Sequence, residues 1–436
     1  MSVRHILSIA AFAAVLIAFA AGAHADPTAP AATVNAGNTA WLLTSTALVL
    51  FMTVPGLALF YGGLVQSRNV LSVLAQCFAI AAGASVVWAI AGYSLAYSGS
   101  APYLGDLDRL FLGGLTPVFG PSAIPESVYV MFQMAFAIIT PALIIGAFPE
   151  RVKFGFVVAF SLAWLVLVYV PVTHWIWGNG WLAEQHVIDF AGGIVVHTTA
   201  GVSALVAAIM IGPRRGFPDH VLPPHNPGMT MTGAGMLWVG WFGFNAGSAL
   251  AADGSAGAAM LATHLSAAAG AFTWMVIEQI RFGKPSSVGI VTGLVAGLAT
   301  ITPAAGHTGP MAALAVGVLA GVVCFSAVRW LKITLKIDDS LDVFGVHGVG
   351  GILGSLLVAV TALPQLGGAG LAEGMTLGSQ FVVQAESVGL TALWSAVVTV
   401  VLIKGLTAVT GFRCTRDAET EGLDLAEHGE RAYDLK

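Results

Sequence analysis

Hydrophobic residues occur along the chain in eleven long runs, and most polar residues fall in the segments between them. An α-helix needs about 20 apolar residues to cross the hydrocarbon core of a bilayer, so each run approaches or exceeds spanning length. Because only helices and closed barrels satisfy their backbone groups in lipid, the pattern predicts an all-α polytopic membrane protein with eleven transmembrane helices. The predicted spans are residues 41–64, 72–97, 127–148, 154–173, 191–211, 229–250, 257–280, 288–304, 311–331, 345–363 and 388–411.

The charged residues give the orientation of these spans. Only 9% of the chain is charged, against about 25% in soluble domains, and no basic patch points to nucleic acid. Arg109 is the basic residue on one face, and by the positive-inside rule the opposite face is cytoplasmic, with the N-terminus outside and the C-terminus inside. The predicted cytoplasmic face carries Arg68, Arg151, Lys153, Arg214, Arg215, Arg281, Lys284, Arg329, Lys332, Lys336, Lys404, Arg413 and Arg416.

Both ends of the chain differ from the spans. Residues 1–25 have the pattern of a cleaved signal peptide, with a basic start, an apolar core and an Ala23-His24-Ala25 cleavage site. The alternative is an uncleaved first helix. Cleavage indicates a bacterial inner-membrane protein whose mature N-terminus is outside. Residues 412–436 form a polar, acidic cytoplasmic tail, which is either a solvated end or a docking segment for a partner.

The eleven spans divide into two halves of five and one extra helix. The halves cover about 41–211 and 229–363, the extra helix covers 388–411, and all lie in a transmembrane domain at 38–411. Since each half has an odd number of spans, the second is inverted relative to the first. His197 and His347 lie in the fifth span of each half, eight residues after Asp189 and Asp339. The inverted repeat predicts that the two histidines meet near the bilayer centre.

An ionisable side chain at bilayer depth is costly, and therefore indicates a functional site. A buried histidine satisfied by a backbone carbonyl is the alternative, but the chain has two in equivalent places. Two neutral imidazoles hydrogen-bond a small polar solute or relay a proton. Asp189 is either a helix N-cap alone or also a negative charge that attracts a cation, and Asp339 and Asp342 have the same two interpretations.

Aromatic residues form a second candidate group. Phe132 and Phe136 share a helix face, and the stretch 236–248 holds Trp238, Trp241, Phe244, Asn245 and Ser248. Such residues usually pack or lie at the interface, although an aromatic face also binds a desolvated cation. Cys77, Cys324 and Cys414 are far apart and indicate neither a disulfide nor a metal site.

At these residues the chain resembles the ammonium transporter (Amt/Mep/Rh) family over nearly all of 38–415, and its bacterial Amt branch in particular. The resemblance rests on Asp189-Phe-Ala-Gly-Gly with His197, Gly243-Phe244-Asn245-Ala-Gly-Ser248, Thr302-Pro303-Ala-Ala-Gly306, and Asp342-Val-Phe-Gly-Val-His347-Gly. Phe136-Ala-Ile-Ile-Thr140 and Gly146-Ala-Phe-Pro-Glu150-Arg151 also fit, although Pro149 departs from the expected pattern.

The resemblance implies a homotrimer with one pore in each subunit and no cofactor. It implies that Trp177, Ser248 and Phe136 recruit ammonium at the outer mouth, with Phe136 and Phe244 as a stacked gate and Phe132 nearby. His197 and His347 are implied as the twin histidines of a hydrophobic pore, and Asp189 and Asp342 as structural or electrostatic residues. Trp241, Asn245 and Thr302 are placed in the pore vicinity.

Several functions stay open at this point. The preferred one is channel-like transport of ammonium or ammonia, tested with its analogue methylammonium, with deprotonation of ammonium and net charge transfer. An electroneutral gas channel and an ammonium sensor that acts through the tail are the alternatives. The resemblance also suggests a cytoplasmic PII-type regulatory partner. No activated nucleophile, phosphate-binding loop or zinc spacing supports an enzyme.

Overall fold

The computed structural model describes residues 33–434, so the predicted signal peptide at 1–25 lies outside the described residues. Eleven long helical segments make up most of the described chain, and the β-structure there consists of isolated bridges alone. The segments are α1 (Ala36–Leu64), α2 (Ser67–Tyr97), α3 (Glu126–Ala147), α4 (Phe154–Trp177), α5 (Gly193–Ile211), α6 (Pro227–Gly247), α7 (Gly254–Phe282), α8 (Ser287–Ala304), α9 (Pro310–Thr334), α10 (Phe344–Thr361) and α11 (Leu377–Thr410). The all-α membrane fold predicted from the sequence is confirmed.

Within the described residues, 10 of these segments are long and apolar enough to cross a membrane. The eleventh, α6, occupies the predicted span 229–250 but falls outside that group. Its sequence is rich in glycine and also contains two threonines and an asparagine. The crossing number of eleven and the sidedness of the termini therefore stay predictions.

The glycines of α6 allow it to pack closely against α1. A Cβ added at Gly233 would lie 2.2 Å from the backbone nitrogen of Phe60, and one at Gly240 would lie 2.3 Å from the Cβ of Met52. Small residues at a helix interface let two backbones approach in lipid, where the hydrophobic effect does not drive helices together. This contact joins the first helix of one predicted half to the first helix of the other.

The two histidine-bearing helices, α5 and α10, are also joined through glycines. A Cβ added at Gly201 of α5 would lie 2.2 Å from the Cα of Gly348, and one at Gly351 would lie 2.6 Å from the carbonyl oxygen of Gly193. Gly193 of α5 lies near Gly351 of α10, whereas the later residue Gly201 lies near the earlier residue Gly348. The two helices therefore run in opposite directions. An inverted second half requires this arrangement.

The last long helix begins at Leu377, well before the predicted start at residue 388. Thr376 caps it through a capping box with Ser379, which satisfies the first free N–H groups. The added turns carry Gln380 and Gln384, whose polarity placed them outside the apolar run in the sequence. Both glutamines are nevertheless fully buried, because their amides bond to other parts of the chain.

A buried ion cluster joins the loops on the side of the molecule where the tail lies. Asp338 is bonded by Arg151, with Nη1 to Oδ2 at 3.1 Å, and by Arg214, with Nη2 to Oδ1 at 3.0 Å. Burial by itself would raise the pKa of Asp338, but the guanidinium groups of Arg214 and Arg151 hold it below its usual value. The carboxylate is therefore charged at neutral pH, and the contribution it makes to stability is lost only on strong acidification.

The tail folds back onto its own chain through two short helices, α12 (Arg416–Glu421) and α13 (Leu423–His428). The Oδ1 atom of Asp424 accepts a hydrogen bond of 2.8 Å from the N–H of Ser72, near the start of α2. Glu427 accepts from the N–H of Phe154 at the start of α4 at 3.0 Å. Arg413 pairs with Glu419 and also donates to the carbonyl oxygen of Ile211. The described part of the tail is thus ordered against the loops rather than a free end.

Candidate functional site

His197 and His347 lie side by side in the interior, as the sequence predicts. Their Nδ1 atoms are 3.3 Å apart, and their rings stack with centroids 5.2 Å apart. Exposed fractions of 1% for His197 and 4% for His347 show that the protein covers both. In a neutral pair, one ring donates its Nδ1–H and the other accepts with a bare Nδ1. The accepting ring therefore carries Nε2–H, whereas the donating ring has a bare Nε2.

Each histidine lies within a π-helical turn, His197 in Gly193–Thr198 of α5 and His347 in Phe344–Gly348 of α10. Such turns have wider hydrogen-bond spacing than an α-helix and often mark functional sites. The Nε2 atom of His197 has no hydrogen-bond partner among the described residues. That nitrogen is consequently available to a small polar solute.

Two aspartates cap these π-helical turns in the same way. The Asp189 carboxylate accepts four backbone N–H bonds, from the run of residues Gly192 to Val195, at 2.6 to 3.1 Å. Asp339 accepts three, from Val343 to Gly345, at 2.8 to 3.2 Å. A carboxylate at a helix N-terminus satisfies free donors and complements the helix dipole.

Asp342, the other candidate in this stretch, has a different environment. Its Oδ1 lies 2.6 Å from the Nζ of Lys332, and both side chains are about a quarter exposed, at 24% and 28%. Its backbone is left-handed, with φ of 61°. The capping contacts thus belong to Asp339, and Asp342 forms an ion pair at the surface of a cavity.

A row of aromatic rings leads from Trp177 to the histidines. The rings of Phe136 and Phe244 are 4.4 Å apart, and Phe136 meets Trp177 edge to face at 5.7 Å. Phe244 is in turn 6.0 Å from His197, and Phe132 is 5.0 Å from Phe136. Phe136 and Phe244 are buried, so their rings close the route between Trp177 and the histidine pair.

The predicted pore-vicinity residues hold this row in place. The Trp241 ring stacks on His197 at 5.4 Å, and its Nε1–H donates to the Thr302 hydroxyl at 3.0 Å. Asn245 donates through Nδ2 to the Thr263 hydroxyl at 2.9 Å. Asn245 therefore ties α6 to α7.

A cavity opens at each end of this arrangement. The first, called here the Trp177 cavity, has a volume of about 270 Å³. The second, the His347 cavity, has about 210 Å³ and is lined in part by Arg214, Lys332 and Asp342. The Trp177 cavity is lined by Tyr129, Gln133, Phe136, Ile176, Trp177, Phe190, Ser248 and Leu250.

Five residues of the Trp177 cavity were absent from the sequence prediction, namely Tyr129, Gln133, Ile176, Phe190 and Leu250. Gln133 is the most informative, because its Oε1 is buried and has no hydrogen-bond partner among the described residues. Gln133 precedes Phe136 by three residues and so shares its helix face, a signal present in the sequence. Ser248 donates its hydroxyl hydrogen to the carbonyl oxygen of Phe244 at 2.8 Å. Its oxygen lone pairs therefore stay available to a donor.

The described part of the chain has no group of three or more His, Cys, Asp or Glu side chains that could hold a metal ion. Cys77, Cys324 and Cys414 are free and buried. Chemistry at this site thus rests on aromatic faces, single oxygen acceptors and the imidazole pair.

Comparisons with known proteins show which family the chain resembles along most of its length. The model of the Ammonium Transporter Family matches residues 40–433. A putative ammonium transporter of Methanothermobacter thermautotrophicus is 44% identical over 407 residues, covering 92% of this chain and 99% of its own. An ammonium transporter of Aquifex aeolicus is 45% identical over 408 residues, covering 93% and 95%.

Solved structures of ammonium transporters also share the fold of this chain. A structure titled Sensor Amt Protein has a TM-score of 0.84 and 31% identity, covering 90% of this chain and 98% of its own. Saccharomyces cerevisiae Mep2 has a TM-score of 0.81 and 33% identity, covering 90% and 92%.

Proposed function

The chain belongs to the ammonium transporter family, as a multi-pass membrane protein and not an enzyme, and from that premise we propose a mechanism for how it moves ammonium. Ammonium is recruited in the Trp177 cavity and loses a proton. Ammonia then passes the Phe136–Phe244 pair and the twin histidines to the His347 cavity. The released proton crosses along the histidine pair and rejoins ammonia on the far side, so that one positive charge is transferred. The histidine pair, with the buried and unpartnered Nε2 of His197, is the observation that carries this proposal.

Recruitment is supported by the groups that line the Trp177 cavity. The faces of Trp177 and Phe136 attract a small cation through cation–π interaction. The Gln133 carbonyl and the Ser248 hydroxyl oxygen lack donors of their own and accept N–H bonds from ammonium. These contacts replace part of the water shell that a small cation is reluctant to lose.

Deprotonation follows from what lies beyond the aromatic pair. The route past Phe136 and Phe244 is apolar, so it disfavours a charged species far more than neutral ammonia. Potassium has no proton to lose and is therefore excluded. At the histidine pair, the bare Nε2 of one ring accepts a hydrogen bond from an N–H of ammonia. The Nε2–H of the other ring donates a hydrogen bond to the lone pair of an ammonia nitrogen.

The first test is ammonium-evoked current in proteoliposomes, for the wild type and for His197→Ala combined with His347→Ala. A wild-type current that the double variant lacks supports charge transfer that depends on the pair. Rapid internal alkalinisation without current indicates an electroneutral ammonia channel instead. Equal methylammonium conduction by variants with apolar residues at both positions contradicts a proton path through the pair.

An ammonium sensor is the second candidate function. It is supported by the similarity to the structure titled Sensor Amt Protein and by a tail that contacts the loops at the starts of α2 and α4. A sensor predicts ammonium binding without either current or alkalinisation in well-folded protein. Ammonium-dependent change in protease sensitivity of the tail would then report the signal.

We further propose a homotrimer in a bacterial inner membrane, with the tail in the cytoplasm. The arginine and lysine side chains around the His347 cavity support that sidedness. A trimeric PII-type protein is the proposed regulatory partner at this face. Co-purification of a PII protein with the wild type, lost after truncation at residue 411, is the expected result. Light scattering of the detergent-solubilised protein measures the subunit number.

A further inference from the structure

Gln384 of α11 pairs with the backbone of a single residue in the loop before α5. Its Oε1 accepts from the N–H of Ile188 at 2.8 Å, and its Nε2 donates to the carbonyl oxygen of Ile188 at 2.8 Å. The same Nε2 also donates to the carbonyl oxygen of Ser355 at 2.9 Å. Gln380, one turn earlier, donates to the carbonyl oxygen of His186 at 3.0 Å.

The bonds to Ile188, Ser355 and His186 join α11 to other segments. Within α11, the Oε1 of Gln384 also accepts from the Nε2 of Gln380 at 3.2 Å. Gln384 is fully buried and engages both peptide groups of Ile188, so the loop has little freedom to shift along or across the helix. Leaving these groups unpaired in the interior would cost more than an ordinary hydrogen bond contributes.

The next residue along the loop, Asp189, joins this anchor to the proposed pore. Its carbonyl oxygen accepts from the indole Nε1–H of Trp177 at 2.7 Å. Its carboxylate caps the turn that contains His197. One peptide unit therefore separates the Gln384 contact from the bond that orients the Trp177 indole.

We infer that Gln384 is a positioning residue of the Trp177 cavity, which fixes the Trp177 indole through Ile188 and Asp189 although α11 lies outside both repeat halves. The inference rests on the proposed function, in which that indole helps to bind ammonium. It assigns α11 a role in substrate affinity in addition to packing.

The test is the concentration dependence of ammonium-evoked current for Gln384→Met, which keeps the length of the side chain and removes its hydrogen bonds. We expect the half-saturating concentration to rise roughly five- to tenfold, as loss of about one oriented binding contact would produce, with the maximal current within about twofold. Thr391→Val is the matched control, since Thr391 is buried on the same helix farther from the loop.

A double-mutant cycle with Trp177→Phe separates positioning from general loosening of the fold. If Gln384 acts through the indole, Gln384→Met adds little to the rise already caused by Trp177→Phe. Retention of its full effect in that background would overturn the inference. So would an unchanged half-saturating concentration in the folded single variant. Gln384→Glu, which keeps the oxygen acceptor and loses the amide donor, replaces Gln384→Met if that variant does not fold.

Amide hydrogen exchange gives a readout that does not require transport. The amides of residues 188–195 are expected to exchange at least roughly tenfold faster in Gln384→Met than in Thr391→Val. Equal exchange in both variants would contradict the inference even if the protein carries no current. Absence of current from the wild type, in contrast, counts against the proposed function alone.

Discussion

At the scale of single residues, the three aspartates near the histidines have two different tasks. Asp189 and Asp339 lie eight residues before a histidine and cap its helix, whereas Asp342 pairs with Lys332. Spacing along the chain predicts a cap in each half. It does not decide between Asp339 and Asp342, because that choice depends on the left-handed backbone at Asp342.

Asparagine substitution distinguishes these tasks. Asp339→Asn leaves at most one acceptor oxygen, or an NH₂ group, facing three backbone N–H donors. We expect the free energy of unfolding to fall by about 2–3 kcal/mol. Asp342→Asn breaks a partly exposed ion pair, and we expect a loss of at most about 1 kcal/mol. Apparent melting temperatures of the two variants in the same detergent give the comparison. Equal shifts would show that Asp339 has no special part in stability.

At the scale of helices, the separation of the histidines depends on the glycine contact between α5 and α10. Gly201→Ala would place a methyl group 2.2 Å from the Cα of Gly348, so the helices must move apart. We expect the 3.3 Å contact between the Nδ1 atoms to break and transport to fall at least roughly tenfold.

Gly389→Ala on α11 is the control for this prediction, because an added Cβ there meets no atom within 4 Å. Methylammonium uptake by both variants, normalised to folded protein, is the measurement. Similar uptake by Gly201→Ala and Gly389→Ala would mean that close contact of α5 and α10 is not required.

Helix positions follow from the sequence because length and hydropathy determine what crosses a bilayer. The predicted start of α11 was wrong for a physical reason. Gln380 and Gln384 look like loop residues until their partners, almost 200 residues earlier in the chain, are known. Gln133 was missed for a related reason, since its importance lies in an oxygen that has no partner in the folded protein.

At the scale of the whole molecule, the orientation in the membrane is open to direct measurement. We expect an impermeant maleimide to label Asp108→Cys on intact cells and to label Asp434→Cys only after lysis. Both positions are exposed, and the native cysteines are buried and therefore react slowly. The reverse labelling pattern would invert the predicted topology.

The docked tail makes a second prediction at this scale. Asp424→Ala removes the carboxylate that accepts from the start of α2, and loss of such a cap costs about 1 kcal/mol. We expect faster cleavage of the tail by a protease added to solubilised protein. Glu430→Ala, at an exposed position, is the control and is expected to cleave like the wild type.

The shared hydrogen bond between the histidines has a consequence for proton leakage. Suppose a proton enters at the bare Nε2 of one ring, crosses between the Nδ1 atoms and leaves from the Nε2–H of the other. Both rings have then exchanged tautomers, so the pair is set to carry the next proton in the opposite direction. The His197 ring is stacked against Trp241, Phe244 and His347, which opposes rotation of that ring. Repeated proton transfer in one direction along the pair therefore requires a step that restores both tautomers after each proton.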